Sequence, residues 1–240
     1  MPRAIVTGAS KGLGLALAEA LAGDGWDLVI DARGSEALER VARRLRERGS
    51  GVVPLFGDVS HEAHRVALVR SAEALGGLDA LVNNASELGP TPLPRLDAYP
   101  LDGLRRVFEV NVAAPLRLMQ LSAPLLRTAR GAVLNVTSDA AVESYEGWGG
   151  YGASKAALEQ LSSVFAAENP EVRTYWVDPG DMDTEMHRAA APDDDPNGLL
   201  QPDSVARALL HLLRQRIPSG RYRATDLPGL HGPVDHGVVR

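Results

Sequence analysis

Tyr151 and Lys155 stand four residues apart in Tyr151-Gly152-Ala153-Ser154-Lys155. On a helix that spacing puts both side chains on one face. A cation beside a phenol favours the phenolate and lowers the phenol pKa towards the working pH, as a general acid/base requires. Ser138 precedes Tyr151 by thirteen residues and closes an apolar run. Its hydroxyl is thereby expected on the edge where a ligand binds. Far upstream lies a third chemical feature, Thr7-Gly8-Ala9-Ser10-Lys11-Gly12-Leu13-Gly14. Glycines there let the chain turn sharply and let a pyrophosphate approach open N–H groups at a helix start, where the dipole favours negative charge. Taken singly, most Y-x3-K pairs are surface pairs, and a glycine cluster is often a plain strand-to-helix turn.

The choice of nucleotide turns on the end of the second strand. An acid there accepts a hydrogen bond from a ribose 2′-hydroxyl, whereas a nearby arginine accepts a 2′-phosphate. The chain supplies both Asp31 and Arg33, which share one face of an extended strand. Lys11 adds a second cation. Two cations against one acid tilt the choice towards NADP(H), with NAD(H) the alternative if Asp31 faces the ribose. The bland alternative for Lys11 and Arg33 is two solvated surface cations.

The elements that must position these groups alternate. Short apolar runs at 3–7, 27–31, 52–56, 80–83, 132–137, 173–177 and 221–224 read as strands. Helix-period stretches lie between them at 13–22, 36–48, 61–75, 101–128, 151–169 and 202–216. Ten or more residues between strands force crossovers, hence a parallel sheet with helices on both faces: an α/β, doubly wound, single-domain chain of about seven strands. Residues 181–201 break the rhythm with Asp193-Asp194-Asp195, two prolines and a glycine, and are expected to form a substrate lid.

Composition narrows the class. The 240 residues are 45% apolar and 23% charged, with a net charge of −6, which argues against a general nucleic-acid binder. There is no cysteine, so thiol nucleophiles, thiolate-bound zinc and disulfides are excluded. No apolar run approaches the ~20 residues of a membrane span. Met1-Pro2-Arg3 runs straight into Ala4-Ile5-Val6 without a secretory leader. A cytoplasmic protein is expected.

Together these residues resemble the short-chain dehydrogenase/reductase family, with its Rossmann fold, over nearly the whole chain. The glycine turn matches the family's TGxxxGxG, Asp58-Val59 its adenine-side acid, and Asn83-Asn84-Ala85 its NNAG stretch. Asn111, Ser138, Tyr151 and Lys155 match its catalytic tetrad in identity, order and spacing. Pro179-Gly180 with Thr184 matches its nicotinamide-contacting PG-x3-T. The resemblance implies that Tyr151 donates a proton to a carbonyl oxygen, Lys155 holds the nicotinamide ribose and lowers the tyrosine pKa, Ser138 binds the reacting oxygen, and Asn111 anchors a water relay. It places the NAD-selecting acid on Ala32 and the NADP-marking cations on Lys11 and Arg33. An NADPH-dependent reductase of a ketone or aldehyde, reversible as an alcohol dehydrogenase, is the implied activity. An NAD-linked dehydrogenase working oxidatively and a non-catalytic dinucleotide sensor are the alternatives. The family's helix pairing implies a homodimer or homotetramer.

Some residues depart from the pattern or mislead. Ser86 replaces the glycine of NNAG and is expected on the adenine-ribose side. The tail beyond Arg221–Ala224 lacks the usual glycine pair. Tyr145 has no lysine four residues on; with Glu143 and Trp148 it either lines the substrate mouth or is loop packing. His61 and His64 are expected on the outer face of an exposed helix beside Glu62, with no third ligand for a metal. The Asp193–Asp195 run lacks the alternation of a calcium loop, and no metal site is expected.

Overall fold

The computed structural model describes residues 1–230, and the expectations placed on 231–240, including His231 and His236, lie outside them. Strands β1 (Arg3–Val6), β2 (Asp27–Ala32), β3 (Val52–Phe56), β4 (Ala80–Asn83), β5 (Ala132–Val136), β6 (Arg173–Asp178) and β7 (Gly220–Arg223) form one sheet. Their order is β3-β2-β1-β4-β5-β6-β7 and every pairing is parallel. This is the doubly wound, Rossmann-like sheet expected from the alternation of the sequence.

Helices α1 (Gly12–Gly23), α2 (Ser35–Arg46), α3 (Glu62–Ala74), α4 (Leu101–Phe108), α5 (Ala114–Ala129), α6 (Gly149–Glu168), α7 (Glu185–Ala190) and α8 (Pro202–Arg214) make the crossovers and the cover. The period of two along the strands fixes which face each side chain takes. Ala4, Val6, Leu28, Ile30, Leu134 and Val177 pack in the core that includes Leu17 of α1, Leu38 of α2 and Leu209 of α8. Ile5, Val29, Leu81 and Val133 pack with Leu68 of α3, Leu118 of α5 and Phe165 of α6. Strand β1 has β2 on one side and β4 on the other, so the chain reverses its direction of winding there. In open α/β sheets that switch point opens a crevice beyond the carboxyl ends of the strands.

The long helix expected over 101–128 is interrupted. A π turn at Glu109–Ala113 separates α4 from α5 and contains Asn111. Pro115, four residues after Asn111, has no N–H to give the Asn111 carbonyl, so the α-helical ladder cannot run through this point. The 181–201 segment, read as irregular, instead contains α7 and a short 3-10 turn at Pro196–Gly198. Its base is closed by Asp183 N–H to Leu200 O at 3.0 Å and Leu200 N–H to Asp181 O at 2.9 Å.

Candidate active site

The crevice is a cleft of about 760 Å³, within the usual range for small-ligand sites. Of the residues expected at a cofactor, all but Gly180 line it, as do Tyr151 and Lys155. Asn111 and Ser138 are not among its lining residues; Asn111 is buried and Ser138 half-buried. Tyr145 lies in an adjoining surface groove with Glu143 and Trp148.

The glycine turn is shaped by close backbone approach. Gly8 has φ +69°, and a Cβ on Gly14 would stand 2.3 Å from Gly8 O and 2.4 Å from Asn84 Nδ2. The turn is tied to the end of β4. Thr7 Oγ1 accepts the N–H groups of Asn84 (2.9 Å) and Ala85 (3.0 Å), and Asn84 Nδ2 donates to Thr7 O at 2.8 Å. Asn84 therefore serves the turn with its side chain. Helix α1 starts without a side-chain cap and without an acid in its first turn, which leaves its N–H groups and positive dipole end facing the cleft. That cradle fits a dinucleotide pyrophosphate.

Two of the acids that line the crevice, Asp31 and Asp58, are both engaged. Asp31, only 1% exposed, accepts the Gly8 N–H at 2.7 Å, and His64 Nε2 hydrogen-bonds its other oxygen at 3.0 Å. Burial pushes the Asp31 carboxyl above its usual range, against the His64 and Gly8 hydrogen bonds. His64 is thus not on an exposed outer face, as the helical pattern suggested; it points inward from the first turn of α3. Burial also works against ionised Asp58, but the Ser60 N–H and hydroxyl and the Arg106 guanidinium hold its carboxyl well below the usual range. Arg33 keeps a 3.6 Å contact with half-buried Glu87, and Lys11 pairs with Glu185 of α7 on exposed surface. The two cations are therefore ion-paired rather than merely solvated.

At the other end, Tyr151 and Lys155 share one face of α6. Lys155 Nζ lies 5.4 Å from the Tyr151 ring centre and donates to Val136 O at 2.8 Å. Burial pushes the Lys155 ammonium down to about 7. The phenol moves opposite to expectation: burial pushes Tyr151 up to about 12, countered by its hydrogen bond with Ser86 and reinforced by the charges of Asp139 and Asp178. Desolvation of the phenolate dominates, and burial also draws the neighbouring ammonium towards its neutral form. Trp148 packs edge-on against the ring, with centroids 5.7 Å apart.

Asn111 is fixed on four sides. Its Oδ1 accepts Glu87 N–H at 2.7 Å and the Ser86 hydroxyl at 3.2 Å, and its Nδ2 donates to Glu87 O and Ser154 Oγ, both at 2.9 Å. Ser86 accordingly belongs to the Tyr151 end of the crevice, not the adenine-ribose side expected of it. Ser138 Oγ donates to Asp139 Oδ1 at 3.0 Å and accepts Ala140 N–H at 3.1 Å. The Tyr145 hydroxyl donates to Asp139 Oδ2 at 2.9 Å. Thr184 caps α7 by accepting His187 N–H at 3.2 Å, and its methyl lies 3.5 Å from where a Gly12 Cβ would stand, so α7 begins over the glycine turn. Gly180 has φ +73°, and its N–H donates to Asp178 at 3.0 Å. Sequence reasoning missed Thr7, His64 and Arg106; only the first lay inside a matched motif.

Among the described residues, no group of three or more potential ligands is arranged for a metal, and no helix is long and apolar enough to cross a membrane.

The short chain dehydrogenase family model matches residues 2–195. Benzil reductase ((S)-benzoin forming) of Bacillus subtilis is 31% identical, with 90% of this chain and 95% of that protein aligned. An alcohol dehydrogenase from the archaeon Thermococcus sibiricus, solved with 5-hydroxy-NADP, is 32% identical with a TM-score of 0.85 over 93% of this chain and 95% of that one. A 7α-hydroxysteroid dehydrogenase, solved with NADH and 7-oxo glycochenodeoxycholic acid, is 28% identical with a TM-score of 0.83 over 92% and 91%.

Proposed function

The chain belongs to the short-chain dehydrogenase family, and on that premise we propose that it is an NADP(H)-dependent carbonyl reductase, reversible as an alcohol dehydrogenase. The observation that carries this reading is that one cleft is lined at one end by the glycine turn and at the other by Tyr151 and Lys155. The bound nicotinamide supplies a hydride to the carbonyl carbon. The residues proposed to hold the dinucleotide are Gly8, Ser10, Gly12, Leu13 and Gly14 at the pyrophosphate, with Asp58, Val59, Asn84 and Ala85 on the adenine side. Pro179, Gly180 and Thr184 stand at the nicotinamide.

Tyr151 is the proposed proton donor. A phenol held at about 12 stays protonated at neutral pH, the state that reduction needs. Ser138 turns its hydroxyl from Asp139 to the reacting oxygen, and Tyr145 lies beyond it at the outer mouth. Lys155 holds the ribose, while Asn111, fixed by Ser86, Ser154 and Glu87, keeps the wall behind Tyr151 in register. For the nucleotide, Lys11 and Arg33 favour a 2′-phosphate, supported by the engagement of Asp31 elsewhere. Surface pairs such as those of Lys11 and Arg33 are worth ~1 kcal/mol or less and exchange readily for a phosphate. A cytoplasmic, homo-oligomeric enzyme fits the family.

The test is carbonyl-dependent oxidation of NADPH, followed by absorbance over a panel of ketones and aldehydes, beside alcohol-dependent reduction of NADP and NAD. Turnover with NADPH and a carbonyl supports the reading. Activity confined to NAD and alcohols would replace it with an NAD-linked dehydrogenase. The pH profile carries a sign. Reduction uses the phenol and is expected to stay level through neutral pH, whereas oxidation uses the phenolate and rises as pH climbs towards the raised phenol pKa.

A further inference from the structure

Asp31 raises a question that the cofactor motifs leave unanswered. It stands one residue before the end of β2, where a free carboxylate would accept a ribose 2′-hydroxyl and repel a 2′-phosphate. Its side chain instead takes the face of the sheet that α3 covers, the face that Val29 takes two residues earlier. There it spans two partners: Oδ1 receives the Gly8 N–H at 2.7 Å and Oδ2 is hydrogen-bonded by His64 Nε2 at 3.0 Å. The side chains of His64 and Asp31 are 10% and 2% exposed. The imidazole reaches this position because Gly57, at the end of β3, has no side chain. A Cβ on Gly57 would stand 2.4 Å from His64 Nδ1.

We propose that His64 is a specificity-determining, positioning residue of the nucleotide site: it holds the Asp31 carboxylate beneath the glycine turn and so keeps it away from the ribose 2′ corner. The inference rests on the reading of this cleft as a dinucleotide site. Asp31, Gly57 and His64 act as a unit. The carboxylate that could have selected NAD(H) becomes a brace for the first glycine of the phosphate turn. The cations Lys11 and Arg33 then meet a 2′-phosphate without Asp31 opposing it, once each leaves its surface partner, Glu185 or Glu87. Asp58, the other carboxylate close enough to influence Asp31, is likewise occupied by Arg106. A histidine placed only for packing would not need a polar partner; this one meets a buried carboxylate, whose desolvation must be offset by hydrogen bonds.

The test is the ratio of NADH to NADPH dissociation constants, read by tryptophan fluorescence titration of wild type, His64→Leu, His64→Gln, Asp31→Asn and the Asp31→Asn/His64→Leu double variant. Loss of the histidine releases the carboxylate, and His64→Leu is expected to shift the ratio towards NADH by about tenfold, a moderate charge effect at protein-surface dielectric. His64→Gln keeps a donor and shifts the ratio less. Asp31→Asn alone leaves it within about twofold, because the held acid contributes little at the 2′ corner. The double variant returns the ratio to the wild-type value. Equal weakening of both nucleotides in His64→Leu would show a merely structural role and overturn the proposal. A tenfold gain for NADPH in Asp31→Asn alone would overturn it too, since the acid would then face the ribose despite His64. Should leucine at 64 prevent folding, His64→Asn, too short to span the gap, takes its place with the same expectations. Wild-type preference for NADH would refute the NADP(H) reading by itself, while the change in ratio between wild type and variant still decides the role of His64.

Discussion

Asn111 and Lys155, in the wall of the crevice, expose 1% and 2% of their surface, whereas Lys11 and Glu185, which join the glycine turn to α7, leave about two-thirds of their side chains in solvent. The wall is held by buried and part-buried hydrogen bonds, Asn111 with Ser86, Ser154 and Glu87, and Lys155 with the Val136 carbonyl. The 181–201 cover is tied by the exposed ion pairs Lys11 with Glu185 and Arg188 with Asp183, and by a hydrogen bond between His187 and Asp194. Buried polar networks in a low dielectric are rigid and costly to break, while exposed pairs contribute little and exchange with water or ligand. The difference fits the proposal that the wall is preorganised while 181–201 admits and releases molecules.

Three substitutions test this contrast, from the largest expected effect to the smallest. Lys155→Met strikes the wall. It should lower turnover by ~10³-fold or more and weaken NADPH binding, both measured by steady-state assay and titration. Its stability should move the other way. Burial lowers the Lys155 pKa to about 7 in the folded protein, so the unfolded chain binds more protons between about pH 7 and the ordinary lysine value of 10.5. Wild type therefore gains stability with rising pH across that window relative to Lys155→Met, a trend that urea denaturation at neutral and alkaline pH would reveal. An unchanged difference would mean that the amine is not held in a desolvated site.

Gly14→Ala tests the nucleotide end of the same rigid wall. The added methyl has no room beside Gly8 O and Asn84, so the turn must shift. A loss of about 1–3 kcal/mol in denaturation, with weaker NADPH binding, is the expected result. Glu185→Gln acts on the cover. Stability should change by less than ~1 kcal/mol, and NADPH affinity should rise slightly as Lys11 is freed. A stability loss as large as that of Gly14→Ala would erase the distinction between wall and cover.

Most of this architecture was legible in the sequence because parallel strands buried on both faces write continuous apolar runs. Their bounds fall within a residue of the expected ones. The glycine turn and the Tyr151–Lys155 pair, which the fold brings to one cleft, were legible because each is a local pattern. What escaped depends on contacts distant along the chain. His64 looked solvated because helical periodicity reports which face of α3 it lies on, not that Gly57 clears a path to Asp31, 33 residues earlier. The π turn at Asn111 hid in an otherwise helical pattern, its one signal being Pro115. The direction of the Tyr151 shift also followed from burial, which spacing does not reveal. Ser86 was visible as a departure, but its place beside Asn111 needed the geometry of the segment after β4 against the π turn.

The central claim is that one cleft joins a dinucleotide cradle to a separate proton donor. Tyr151→Phe tests it most directly, because the ring stays and only the hydroxyl goes. NADPH titration and carbonyl reduction would be measured on the same preparation. The account predicts NADPH affinity within about twofold of wild type and a loss of turnover of about 10²–10⁴-fold. Turnover near the wild-type level in that variant would contradict it, because the proton would then come from elsewhere.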